Sequence, residues 1–348
     1  MAYETVQILI PAYKPDEKFN KLIDDLKAAG FSNIVAVDDG GGEPFRPFFA
    51  KAREQGATVL VHEVNRGKGA ALKTGLKHIA KAAPGSHVVT ADADGQHRPE
   101  DIAKLCEKIA ERPDALLLGS RDKKLMPPRS KAGNTLTCFV FWLTNGKWIS
   151  DTQTGLRVLP PQTLELFAQT EGDRYEYEMN MLVLAVRKRI AIEEVSIETI
   201  YIDDNASSHF NPIKDGLRIY KLLFKQFASY AGSSVASFGV DYLLAALLRC
   251  FFPASVAIPT YTARAVSSLV NFFLNKNLVF KNDANNKLAI VKYYALVAVV
   301  AFLSVQITRL LVYALGMPYL LAKAIADVVL FFCNYKIQDR FVFRRVKK

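Results

Sequence analysis

The chain has 348 residues, enough for two domains, with 50% of them hydrophobic, 23% charged and a formal net charge of +11. Four widely spaced cysteines form no CxxC pair, which gives no support to a cysteine metal centre or redox motif and fits a reducing compartment. The positive charge gathers around apolar runs, where an anionic membrane surface explains it and nucleic acid is not needed as a partner.

Composition changes near residue 225: charges are spread throughout before it, and long apolar runs with short basic clusters follow it. The first part reads as soluble and the second as membrane-embedded. The N-terminus has no basic segment followed by an apolar stretch of signal-peptide length, so the first part is expected to stay on the side of synthesis.

In chain order, residues 6–10 read as a short apolar strand ending in Pro11, Ala12 and Tyr13, followed by a helix over about 16–29. A second strand, 33–37, closes in Asp38 and Asp39 before three glycines, and a third covers 58–62. Residues 65–70, NRGKGA, then open a helix to about 82. Glycines and Lys68 at a helix N-terminus offer N–H groups and positive charge to a phosphate, although a tight turn needs the same residues. The spacing of a P-loop is absent.

Val88 and Val89 lead into Asp92, Ala93 and Asp94, with Gln96 and His97 behind them. Two hard oxygen donors at a strand end suit Mg²⁺ or Mn²⁺, whose remaining ligands are waters and substrate phosphates. Alone, the three letters are equally a polar turn. Pro99 starts another helix, and a strand over 115–118 closes in Gly119, Ser120 and Arg121. The apolar stretch 136–149 holds both tryptophans; it is too short to span a bilayer and is read as core in preference to an interfacial helix.

Residues 151–157, DTQTGLR, lead into a further strand. Asp151 is a candidate acid/base or orienting group, with ordinary strand-start hydrogen bonding as the alternative. A helix over 174–185 puts Glu178 near the site or on a solvated face, and a strand over 192–202 precedes small polar residues that include Ser208. A lone histidine is more often structural, so His209 is kept as a binding candidate only. Strands alternating with helices indicate a parallel α/β sheet, with ligands beyond the strands' carboxyl ends. Tyr13, Asp38, Asp39, Asp92 and Asp94 fall there.

The ordered set PAY at 11–13, VDDG at 37–40, NRGKGAAL at 65–72, DADGQH at 92–97, GSR at 119–121 and DTQTGLR at 151–157 resembles glycosyltransferase family 2 over about residues 5–225. Within it, the branch of dolichyl- and polyprenyl-phosphate sugar synthases is most similar. The resemblance implies a GT-A, Rossmann-like nucleotide-binding domain at 1–210 and a metal on the diphosphate of a nucleotide-sugar. Pro11, Ala12, Tyr13, Asp38 and Asp39 would hold base and ribose, with Lys68, Asp92 and Ala93 also at the donor. Asp92, Asp94 and Gln96 would meet the metal. Arg121, Arg129 and Asn134 would grip the acceptor phosphate, with Ser208 and His209 as further candidates, and Asp94, Asp151 and Arg121 carry the catalytic expectation. Many relatives have Glu two positions after the tyrosine; this chain has Pro15, and Asp16 is the available replacement.

The implied activity is inverting transfer of one hexose, from a UDP- or GDP-sugar to undecaprenyl or dolichyl phosphate. A polysaccharide-elongating enzyme is the first alternative, but the QxxRW motif is absent around Gln153. A lipid-sugar flippase with a binding or regulatory soluble half is the second.

Residues 211–226 read as a juxtamembrane amphipathic helix, and apolar stretches at about 227–248, 256–274, 289–315 and 319–335 as four spanning helices. Basic residues surround the middle loop and follow the last span, which puts both termini and the catalytic domain in the cytoplasm of a plasma or inner membrane. ARAV and FFLN, at 263–266 and 272–275, recur as AKAI and FFCN 59 residues later; VF at 279–280 recurs at 342–343. This half resembles the GtrA-like family, with Asp241, Asn271, Asn275, Asp327 and Asn334 at typical positions and Asp241–Arg264 as the preferred intramembrane pair. Whether it flips lipid or anchors the enzyme stays open, and a homo-oligomer is allowed.

Overall fold

The structure, a computed structural model, describes residues 3, 5–198, 214–252, 257–280 and 286–343. It divides into two compact units, residues 1–222 and 223–348.

The first unit is a seven-stranded sheet with helices on both faces. Its strands are β1 (Val6–Ala12), β2 (Ile34–Asp38), β3 (Thr58–Val61), β4 (His87–Thr90), β5 (Leu116–Arg121), β6 (Arg157–Leu159) and β7 (Ile192–Ile197), in the order β3-β2-β1-β4-β6-β5-β7. Six strands are parallel. The expectation of a purely parallel sheet is corrected at β6, which pairs antiparallel with both β4 and β5. The chain reaches β6 through a long helix, α5 (Pro128–Asn145), and re-enters the sheet at the same end at which it left β5. That reversal leaves no mark on residue periodicity.

The central strands read as near-continuous apolar runs because both faces are covered. Along β1, Ile8 and Ile10 face the core shared with α1 (Glu17–Ala28), α2 (Arg46–Glu54) and α4 (Pro99–Ile109). Leu9, pointing oppositely, meets α3 (Lys68–Ala82) at Gly75. Asp16 caps α1 by accepting a hydrogen bond from Lys18 N at 2.9 Å, and the buried set Phe19, Leu22, Ile23 and Leu26 forms the helix's single apolar stripe. The short α6 (Leu164–Ala168) and α7 (Glu176–Lys188) pack with α3 on the other face.

Reading the tryptophans as core is corrected as well. Trp142 is 39% and Trp148 50% exposed, and Leu136, Phe139 and Trp142 form an outward stripe on α5, whose inner face buries Asn134, Thr137, Cys138 and Phe141. An apolar count cannot reveal which side of a helix is covered.

Residues 214–226 of the expected juxtamembrane segment and the first span form one unbroken helix, α8 (Lys214–Phe251), within which Ala228–Leu248, in the second unit, is long and apolar enough to cross a bilayer. It is followed by α9 (Ala257–Leu274), α10 (Asn286–Leu315) and α11 (Tyr319–Ile337). The sequence repeat is structural: a π-helical turn follows α9 at Asn275–Val279 and another follows α11 at Gln338–Val342. The two copies meet, Asn275 donating to Gln338 Oε1 at 3.1 Å and Phe280 stacking on its equivalent Phe343 at 5.1 Å. Ser233, Asn271, Tyr230 and Asn334 complete the buried polar network. Asp241 accepts from Ser267 Oγ at 2.9 Å, while the side chains of Arg264 and Asp327 lie outside the described part.

The β2 end depends on a left-handed residue. Gly40 has φ +72°, and a Cβ there would lie 2.2 Å from the carbonyl carbon of Val64. Gly40→Ala is expected to cost at least about 1–2 kcal/mol from backbone conformation alone, with the clash in addition. Thermal unfolding of the detergent-solubilised protein should show a lowered midpoint.

Candidate active site

The carboxyl ends of β1, β2 and β4 open into a cleft of about 630 Å³, lined by residues 11–16, Asp39, Asn65, Gly67, Lys68, residues 92–94, Arg174 and Tyr175. It therefore brings together PAY, the glycine-lysine turn and the DxD segment, which are far apart in the chain. Lys14, Arg174 and Tyr175 were not singled out by the sequence reading. Arg174 and Tyr175 open the 174–185 segment that contains Glu178, and a basic-aromatic pair at a helix start is the available signal.

Asp39 is the anchor beneath this cleft. Its Oδ1 accepts from Arg66 N at 3.0 Å and faces His62 Nδ1 at 2.8 Å; its Oδ2 accepts from Gly67 N at 2.7 Å and Asn65 Nδ2 at 3.1 Å. Beside a carboxylate, His62 carries its proton on Nδ1, leaving Nε2 to accept from Thr74 Oγ1 at 2.9 Å. Both oxygens of Asp39 are thus spent on holding the 65–67 turn at the start of α3. Asp38, 6% exposed, lies outside the cleft lining and accepts from Gly41 N at 2.9 Å.

The DxD carboxylates lie in different surroundings. Lys68 Nζ is 2.7 Å from Asp92 Oδ1 and 3.0 Å from Glu178 Oε2, while His97 Nε2 is 3.6 Å from Asp92 Oδ2. Burial would raise the Asp92 pKa, but Lys68, with His97, overrides it and holds the carboxyl well below its ordinary range. Burial, and then the neighbouring charge of Asp92, push Asp94 upward; its Oδ1 accepts from the backbone N–H of the buried Gln96 at 3.0 Å. Among the described residues no three His, Cys, Asp or Glu side chains converge into a closed metal cage. Two adjacent carboxylates, one penalised by the charge of the other, nevertheless fit an ion such as Mg²⁺ or Mn²⁺ that takes few protein ligands and completes its shell with water and phosphate.

A second cluster lies at the end of β5. Asp151, fully buried, holds Arg121 in a bidentate pair, Nε to Oδ2 at 2.6 Å and Nη2 to Oδ1 at 3.0 Å, and accepts from Asn134 Nδ2 at 3.1 Å. Enclosed this way, Asp151 fixes the guanidinium plane and has no open path to abstract a proton. The 151–157 segment links the two clusters: it begins at Arg121 and ends with Gly155 pressed on Asp92, where a Cβ would lie 2.4 Å from Asp92 Oδ2. Thr90 Oγ1 donates to Gly155 O at 2.7 Å, and buried Arg157 donates to Thr154 O at 3.0 Å and Glu178 O at 2.7 Å. Arg129 sits in the first turn of α5 with its side chain outside the described part, and Ser208 and His209 lie outside the described residues.

Residues 7–168 match the profile of glycosyl transferase family 2, and residues 229–343 that of the GtrA/DPMS transmembrane domain. The chain is 32% identical over 245 residues to the UDP-N-acetylglucosamine–dolichyl-phosphate N-acetylglucosaminyltransferase of Methanococcus voltae, covering 64% of this chain and 96% of that protein. It is 26% identical over 251 residues to a dolichyl-phosphate beta-glucosyltransferase of Drosophila melanogaster, covering 65% and 75%. Among solved structures, glucosyl-3-phosphoglycerate synthase of Mycobacterium tuberculosis with Mn²⁺, UDP and phosphoglyceric acid is similar at TM-score 0.49 and 17% identity, covering 63% and 77%.

Asp39→Asn tests the anchoring role. It turns an amide N–H₂ toward groups that themselves donate, leaving at least one buried donor without an acceptor at a cost of about 1–3 kcal/mol. Unfolding should begin at lower temperature than in wild type, and calorimetric nucleotide affinity should fall with it because the 65–67 turn loosens.

Proposed function

Since the chain belongs to glycosyltransferase family 2 and carries a GtrA/DPMS transmembrane domain, we propose that it transfers one hexose, with inversion, from a nucleotide-sugar to a polyprenyl phosphate at the cytoplasmic face of the membrane. Dolichyl-phosphate sugar transferases among the relatives support transfer of a sugar to a polyprenyl phosphate. The observation that carries the reading is the 151–157 segment, which joins the Asp92–Asp94 cleft to the Arg121–Asn134–Asp151 cluster.

Donor and acceptor then have separate berths. Pro11, Ala12 and Tyr13 border the space for the nucleoside, and the N-terminal turn of α3, with Lys68, offers positive charge to the diphosphate. Asp92, Asp94 and Gln96 would hold Mg²⁺ or Mn²⁺, which supplies positive charge to the diphosphate leaving group. Arg121, its plane set by Asp151, and Asn134 orient the acceptor phosphate. A phosphate monoester is already anionic at neutral pH, so its oxygen attacks the anomeric carbon without a side-chain base, and in-line displacement inverts that centre. The protein contributes positioning and charge stabilisation.

Four spanning helices would anchor the enzyme with both termini cytoplasmic, the basic loops remaining inside. The exposed stripe Leu136, Phe139 and Trp142, together with Trp148 under Lys123 at 5.8 Å, has the aromatic-basic character of a surface lying at headgroup depth.

The assay is formation of lipid-linked sugar by the purified full chain in detergent, with undecaprenyl or dolichyl phosphate and a panel of radiolabelled UDP- and GDP-sugars. A labelled, mild-acid-labile lipid is expected with Mg²⁺ or Mn²⁺, abolished by EDTA and reduced at least about 100-fold in Asp94→Ala. A folded, nucleotide-binding protein that labels no lipid with any donor would exclude the acceptor assignment. Membrane contact has its own readout, because Trp142 and Trp148 are the chain's two tryptophans. In proteoliposomes their fluorescence should be quenched by lipids brominated near the headgroup more than by acrylamide, and the reverse order would place this face in water.

A further inference from the structure

Glu178 has no part in the transfer outlined above, yet it is held in the site. Its side chain is 12% exposed, in the first turn of α7, and it shares Lys68 with Asp92. Lys68, 17% exposed, therefore occupies one of the two Asp92 oxygens, while the other is confined by His97 and Gly155.

We propose that Lys68 is a resident cation holding Asp92 in the donor-free protein, that it leaves Asp92 for Glu178 and the diphosphate when a divalent ion and a nucleotide diphosphate enter together, and that Glu178 is thereby a positioning residue that frees Asp92. This rests on the reading of Asp92 and Asp94 as the metal carboxylates. A fixed ammonium beside them repels a lone divalent ion, whereas a diphosphate brings the negative charge that draws the ammonium's field away. Metal and nucleotide should therefore bind synergistically, each weakly alone.

The measurement is Mn²⁺ binding to the full chain in detergent by electron paramagnetic resonance, with Mn²⁺ alone and then with UDP or GDP added. Lys68→Met should tighten binding of Mn²⁺ alone by about tenfold and remove most of the nucleotide synergy, because the competing charge is gone. Glu178→Gln should act oppositely, weakening Mn²⁺ by about tenfold, because Lys68 then has Asp92 as its remaining carboxylate. A purely structural role would weaken binding in both variants, and that result overturns the proposal. If Lys68→Met does not fold, Lys68→Gln, which can still hydrogen-bond both carboxylates without the charge, takes its place: tighter binding of Mn²⁺ alone is expected, and unchanged or weaker binding overturns the proposal. The readout needs no acceptor, so the opposed shifts in a protein that glycosylates no lipid would refute the function and leave this device standing. A wild type that binds no Mn²⁺ even with nucleotide would refute both.

Discussion

Carboxylates crowded at the ends of neighbouring strands are the constraint on which the catalytic unit is built. An unpaired buried charge costs several kcal/mol, and each carboxylate here is satisfied by different means. Asp39 is neutralised by backbone and side-chain N–H groups, Asp151 by a bidentate arginine, and Asp92 by a lysine it shares with Glu178. Asp94 is left with burial and a like charge beside it. Of the group, it is the carboxylate whose surroundings most favour an added cation.

The same constraint explains the reversal at β6. An antiparallel strand between β4 and β5 brings its N-terminal approach, residues 151–156, to the end of the sheet where the parallel strands finish. One short segment can then hold Arg121 at its start and press Gly155 on Asp92 at its finish. A parallel strand in that position would have delivered those residues to the far end. Arg157, buried at the first position of β6, ties this segment to the backbone of α7 and so to Glu178.

The second unit solves a different problem with a repeated sequence. Several of its polar side chains are gathered into one network near the meeting of the two copies, Asn275 with Gln338 and Asn334 with Tyr230, while Phe238, Leu243, Phe302 and Tyr313 face outward. In an apolar medium polar groups must find partners internally. The two π-helical turns widen the helix at the positions where these partners come into register.

What the sequence determined by itself was everything local or ordered: the alternation of strands and helices, the strand-end positions of Tyr13, Asp38, Asp39, Asp92 and Asp94, the change of composition near residue 225 and the repeat behind it. These are legible because backbone periodicity, turn chemistry and motif order are properties of neighbouring residues. Tertiary structure alone decided what each charged group touches. Asp38 and Asp39 are adjacent and chemically identical, yet the second is spent on the 65–67 turn; Glu178 could have faced solvent and instead shares Lys68 with a carboxylate 86 positions earlier. The tryptophans belong to the same class, since an apolar stretch records that a helix has a face to cover but not which side the rest of the chain covers. Partners distant in sequence are set by the path of the sheet, and at β6 that path turned back.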